Sequence, residues 1–134
     1  MDASEIEKVQ RTFGKVALKK EAAAAQFYAK LFELDPSLRP LFKTDITKQG
    51  EKLMLTLATA VRGLKTPETI EATVVKMGQR HRGYGVRDKD YDTVAKALLW
   101  TLEKNLGTDW TPDVQQAWTK VYLLIAGLMK QAAA

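Results

Sequence analysis

His81 is the single imidazole among 134 residues, set in the stretch MGQRHRGYGV at 77–86. A lone imidazole can serve as an acid or base, as a metal ligand, as a surface group, or as a core side chain bonded to backbone. Its register points inward: position 81 follows Ile70 by eleven residues and Met77 by four, on the apolar stripe that includes Val74. A buried neutral imidazole must satisfy one donor and one acceptor nitrogen, so the choice narrows to a core histidine bonded to backbone or a ligand. Two further polar residues share that inward register. Tyr28 lies among Ala24, Phe27, Leu31 and Phe32 and carries a hydroxyl that needs a partner, either a carbonyl or something held in the core. Gln49 precedes Leu53 by four residues and so continues the next stripe, although a solvated residue near a helix start is the competing reading.

The elements that must position these residues are helices. Apolar residues recur at i, i+3, i+4 and i+7 through nearly the whole chain, and no segment alternates strictly as a half-buried strand does. The start signals are distinct. Ser4 and Glu7 have capping-box spacing, and Asp35-Pro36, Thr66-Pro67 and Thr111-Pro112 each place a capping side chain before a first-turn proline. Asp88 is a candidate cap after the turn RGYG. These signals predict helices at about 4–18, 20–34, 36–42, 47–63, 67–82, 89–106 and 112–131. The fold class is all-α, in a single domain over 1–134.

Composition narrows the function classes. With no cysteine, the chain can form no disulfide, thiolate zinc site, iron–sulfur cluster or C-x-x-C-H haem attachment. The net charge of +5 is spread rather than bunched, without the basic stripe interleaved with aromatics that nucleic-acid binding wants. The start, MDASEIEK, lacks the apolar run of a signal peptide, and VYLLIAGLM at 121–129 is too short to span a bilayer. A cytoplasmic protein with neither nucleic-acid nor membrane partners is expected.

Three polar groups aimed inward from three helices suggest a shared ligand, and an imidazole facing two hydrogen-bonding groups in an all-α core has the character of a haem pocket. At this point the sequence resembles a known family. FYAKLFELDPSLRPLF at 27–42, KLM at 52–54, RHRGYGV at 80–86 and AWTKVY at 117–122 are similar, in order and spacing, to globins. The likeness is to single-domain bacterial haemoglobins and the globin part of flavohaemoglobins, and also to neuroglobin. It implies a three-over-three helical sandwich holding haem b, with His81 as the proximal iron ligand. Phe42 would pack flat on the haem, Tyr28 and Gln49 would form the distal pair, and Leu53 would sit above the iron. Leu57, Met77, Val86, Tyr91, Val94 and Leu98 are implied as further cofactor contacts, Met77 through a carbonyl that accepts from His81. Lys52 would reach a propionate or remain solvated. Where neuroglobin-like proteins carry a distal histidine, position 49 is glutamine, so one chain has no second imidazole for the iron. The glutamate that flavohaemoglobins pair with the tyrosine equivalent to Tyr91 is also missing, since no acidic residue follows Asp113.

The resemblance implies reversible, high-affinity binding of O₂, with NO and CO as further ligands, for storage, delivery or scavenging. A first alternative is a nitric oxide dioxygenase; the sequence holds no flavin- or nicotinamide-binding reductase, so turnover would need a separate one. A haem-based sensor is the second.

Overall fold

The computed structural model describes residues 1–42, 45–66, 68–83 and 87–133, apart from the side chains at 69, 70, 72, 73, 77, 81–83, 132 and 133. Six α-helices carry the described residues: α1 (Ala3–Ala17), α2 (Lys20–Leu34), α3 (Ile46–Arg62), α4 (Glu68–Gly83), α5 (Asp88–Leu106) and α6 (Pro112–Ala133). They form the expected three-over-three sandwich, in which α6 supports α1 and α4 while α2 lies against both α5 and α3.

Where their side chains are described, the helices turn the stripes their sequences mark out toward the interior. Phe27, Tyr28 and Leu31 of α2, Leu98 and Leu102 of α5, and Trp118 and Val121 of α6 meet in one continuous core. Polar groups inside it are satisfied. The Trp118 indole donates to the Thr12 hydroxyl at 2.9 Å, and that hydroxyl donates to the Lys8 carbonyl at 2.7 Å, which fixes α1 on α6. Asn105 donates to the Gln26 side chain at 2.7 Å, joining α5 to α2. The crossing of α2 and α3 is close because of Gly50: a Cβ there would stand 2.9 Å from the Ala24 Cβ. This contact brings the helix of Tyr28 against the helix of Gln49.

Three local expectations need correction. The capping box on α1 is Asp2 with Glu5, not Ser4 with Glu7: Glu5 N–H donates to Asp2 Oδ1 at 2.8 Å, and Asp2 N–H donates to Glu5 Oε1 at 3.1 Å. Both pairs have the same spacing, and the earlier one wins because it adds helical backbone bonds, including Ile6 N–H to the Asp2 carbonyl. At the start of α5 the cap position is Arg87, and Asp88 is already helical. The carboxylate that reaches back to the Arg87 N–H, at 2.8 Å, belongs to Asp90. Finally, Pro36–Leu41 is a 3-10 helix rather than an α-helix. The Pro40 ring would clash with the carbonyl four residues back in an α-turn, which disfavours α-helical winding there.

The remaining start signals hold where they are described. Asp35 accepts from Ser37 N–H at 3.0 Å, and Thr111 accepts from Val114 N–H at 3.3 Å. Pro67 lies outside the described residues. No helix among the described residues is long and apolar enough to cross a membrane.

Candidate functional site

A cavity of about 190 Å³ opens between the helices, walled by side chains of α2, the 3-10 turn, α3, α4, α5 and α6. Its walls are almost wholly apolar. Tyr28, Phe42, Leu53, Leu57, Tyr91, Val94 and Leu98, all expected at the site, line it together. Stripes from separate helices converge there because each buries its apolar face toward the same interior space.

Tyr28 is the best-defined polar group in this wall. The residue is 5% exposed, and its ring is held among Phe27, Phe32 and Phe42 at centroid distances of 5.0, 6.0 and 5.4 Å. Burial pushes its phenol pKa up to about 12, because the anion would lose its hydration. The group is therefore a neutral O–H donor throughout the physiological range. That hydroxyl donates to the backbone carbonyl of Gln49 at 3.4 Å, a long and correspondingly weak bond.

Other expected residues stand elsewhere. The Gln49 side chain is half-buried in the first turn of α3 and is not among those lining the cavity. Lys52 is exposed on α3, beside the lining residue Leu53 but outside the wall. Position 81 falls in the last turn of α4, while the side chains of His81 and Met77, and Val86 altogether, lie outside the described residues.

On the α4–α5–α6 side the structure adds residues that sequence reasoning missed. Tyr122 donates its hydroxyl to the Tyr91 carbonyl at 2.5 Å, and burial raises its pKa strongly. Its place on the α6 stripe was the available signal. Asp90 lines the cavity although its side chain is 2% exposed; it is held by Arg87 through the backbone N–H and a 3.4 Å ion pair. Nothing in the sequence distinguishes Asp90 from a solvated first-turn acid. The Tyr91 ring carries the Lys130 ammonium at 5.4 Å, so α6 brings a cation to this tyrosine where a carboxylate was missed. A carboxylate is nonetheless near: burial first, and then the Asp88 charge, raise the Tyr91 pKa.

A helical sandwich around an apolar cavity, with the Tyr28 phenol in its wall, is the arrangement the described residues form. The globin family model matches residues 25–129, and the chain belongs to the globin family. Neuroglobin of Danio rerio is 28% identical over 116 residues, 76% of this chain and 73% of that protein. A flavohemoprotein of Xylella fastidiosa is 34% identical over 111 residues, 80% of this chain but only 28% of that longer protein. Among solved structures, an engineered carbene transferase made from a Rhodothermus marinus protein assigned as a nitric oxide dioxygenase superposes with a TM-score of 0.88. It is 26% identical, with 98% of this chain and 92% of that one covered. Membership in the family supports haem-based gas binding.

Proposed function

We propose that this chain, as a single globin domain in the cytoplasm, binds haem b non-covalently and through it binds O₂ reversibly and with high affinity, with NO and CO as further ligands. Storage, delivery or scavenging of oxygen follows from that property. The observation that carries the reading is the buried Tyr28 phenol, neutral, with its ring packed in the wall of an apolar cavity and its hydroxyl on a long bond to the Gln49 carbonyl.

The residues present fit the cofactor. The cavity offers apolar walls and the Phe42 ring to a flat macrocycle, and the lack of cysteine excludes C-x-x-C-H attachment, which is consistent with a non-covalently held haem b. Haem supplies an iron centre that takes up diatomic gases. In this reading His81 provides the protein's ligand to that iron, and the Met77 carbonyl, one turn back, accepts from its other ring nitrogen. Lys52, exposed on α3 next to Leu53, would reach a propionate. Leu53, Leu57, Val86, Tyr91, Val94 and Leu98 exclude water from the macrocycle faces, which strengthens any hydrogen bond made there. Tyr28, whose hydroxyl donates only weakly to the Gln49 carbonyl, would be the donor to a gas bound on this side. Gln49 adds a second, more mobile donor from the first turn of α3.

Stopped-flow O₂ association and release on the haem-loaded protein tests the reading, with slow release and a stable oxygenated spectrum expected. Rapid autoxidation with no stable oxygenated form would contradict it. A second reading, nitric oxide dioxygenase, draws on the likeness to the Rhodothermus marinus protein and the flavohemoprotein. It requires electrons from a separate reductase. Steady nitrate formation from NO with NADH and cell extract, absent without the extract, would favour it over simple carriage.

A further inference from the structure

Gly78 of α4 lies closer to a neighbouring helix backbone than Gly14, Gly50, Gly107 or Gly127 does. A Cβ built on Gly78 would stand 2.4 Å from the Met129 carbonyl oxygen, 2.8 Å from the Met129 Cα and 2.9 Å from its carbonyl carbon. All three obstructing atoms are backbone. A side-chain tip could rotate away, whereas these can move only if α4 or α6 moves as a unit. Ordinary contact of a Cβ begins near 3.4 Å, so even alanine at 78 would displace one helix from the other by about 1 Å. Gly127, exposed on α6 close to this seam, shows the contrast: a Cβ there meets nothing within 4 Å.

The seam matters because of what α4 carries. Position 81 is three residues beyond Gly78, roughly 4.5 Å further along the same helix axis. Around the contact, Val74 of α4 packs with Tyr91 of α5 and with Ala126 and Met129 of α6 in a separate small core. That core is apolar and adaptable, while the backbone contact is not. Helix propensity alone would disfavour glycine in this place, since it costs about 1 kcal/mol against alanine in a helix interior.

We propose that Gly78 is a positioning residue: by letting the α4 backbone rest directly on the α6 backbone at Met129, it sets how far the His81 turn stands from the haem cavity. This rests on the assignment of His81 as the iron ligand. Gly78 itself touches neither haem nor gas; its effect passes through the placement of α4.

The test compares haem-loaded wild type with Gly78→Ala by resonance Raman of the unliganded ferrous form and by haem transfer to an excess of a haem-scavenging protein. Gly78→Ala is expected to lower the Fe–His stretching frequency and to accelerate haem loss about 10- to 100-fold, the range seen when supports of a metal ligand are disturbed. Gly127→Ala should leave both unchanged while gaining helix stability. If Gly78→Ala alone folds poorly, the same comparison is made in the Gly127→Ala background. Leu128→Ala, which thins the packing against the same small core without inserting bulk, should lower stability but keep the wild-type stretch. An unmoved stretch and haem-loss rate in Gly78→Ala would overturn the positioning role alone. So would an equal shift in Leu128→Ala, which would make general packing responsible. Failure of the wild type to take up haem would overturn the function reading and this inference with it.

Discussion

At the scale of single residues the account turns on a phenol. The Tyr28 pKa rises from 10.0 to about 12 because its environment is dry, which gives two separate expectations. One concerns the ligand. Tyr28→Phe keeps the ring among Phe27, Phe32 and Phe42 and removes only the donor, so O₂ release should quicken about 10- to 100-fold for a lost bond of roughly 1.5–3 kcal/mol. CO release should change far less, because bound CO is much less polar; equal acceleration of both in stopped flow would point to altered packing. Gln49→Leu should have the smaller effect, since that side chain lies outside the cavity wall. The other expectation concerns pH. Between pH 10 and 12 the unfolded chain releases the Tyr28 proton while the folded chain keeps it, so stability falls as pH rises through this window. The loss is about 1.4 kcal/mol per pH unit, and Tyr122 and Tyr91 add to it in the same direction. Denaturant midpoints measured at pH 9 and again near 11.5 should therefore fall further in wild type than in Tyr28→Phe; an equal fall in both would contradict the raised pKa. Much of this chemistry is legible in the sequence, because the position of Tyr28 on an apolar stripe already forces its hydroxyl inward. The partner is not legible: a backbone carbonyl on another helix leaves no mark in side-chain pattern.

Helices and their joints are the next scale. All the long elements can be read from apolar periodicity, but the start of α1 cannot, because D-x-x-E and S-x-x-E overlap in the first seven residues. Asp2→Ala should cost about 1 kcal/mol, whereas Ser4→Ala should cost close to nothing. Urea denaturation of the two variants decides between the caps, and the reverse order would restore Ser4 as the helix start. At the α2–α3 crossing the obstruction to a Gly50 side chain is the Ala24 methyl, a side-chain atom. Gly50→Ala should then lose about 1–3 kcal/mol, and adding Ala24→Gly should recover part of it through a favourable coupling term. Strict additivity in that cycle would mean that the helices do not meet at this pair. The stripe of α3 carries Gln49 at its first turn, outside the cavity lining. Counting back from Leu53 reaches the first helical turn, where the helix is already leaving the cavity wall.

For the molecule as a whole, periodicity supplies the class but not the arrangement, since six apolar stripes can be assembled in several ways. The order of helices in the sandwich came from the resemblance carried by 27–42, 80–86 and 117–122, and the match of the globin family model over 25–129 agrees with it. The cavity arises only when α2, α3, α4, α5 and α6 are in place together, which is why Asp90 and Tyr122 entered the site from the structure. The central claim is that this space holds haem through His81. It is tested most directly by titrating haem into apoprotein and following the Soret band in wild type, in His81→Gly, and in His81→Gly with added imidazole. Stoichiometric uptake by wild type, loss of the normal spectrum in His81→Gly, and its return with imidazole are the predicted results. A His81→Gly protein that keeps the wild-type spectrum without imidazole would contradict the account.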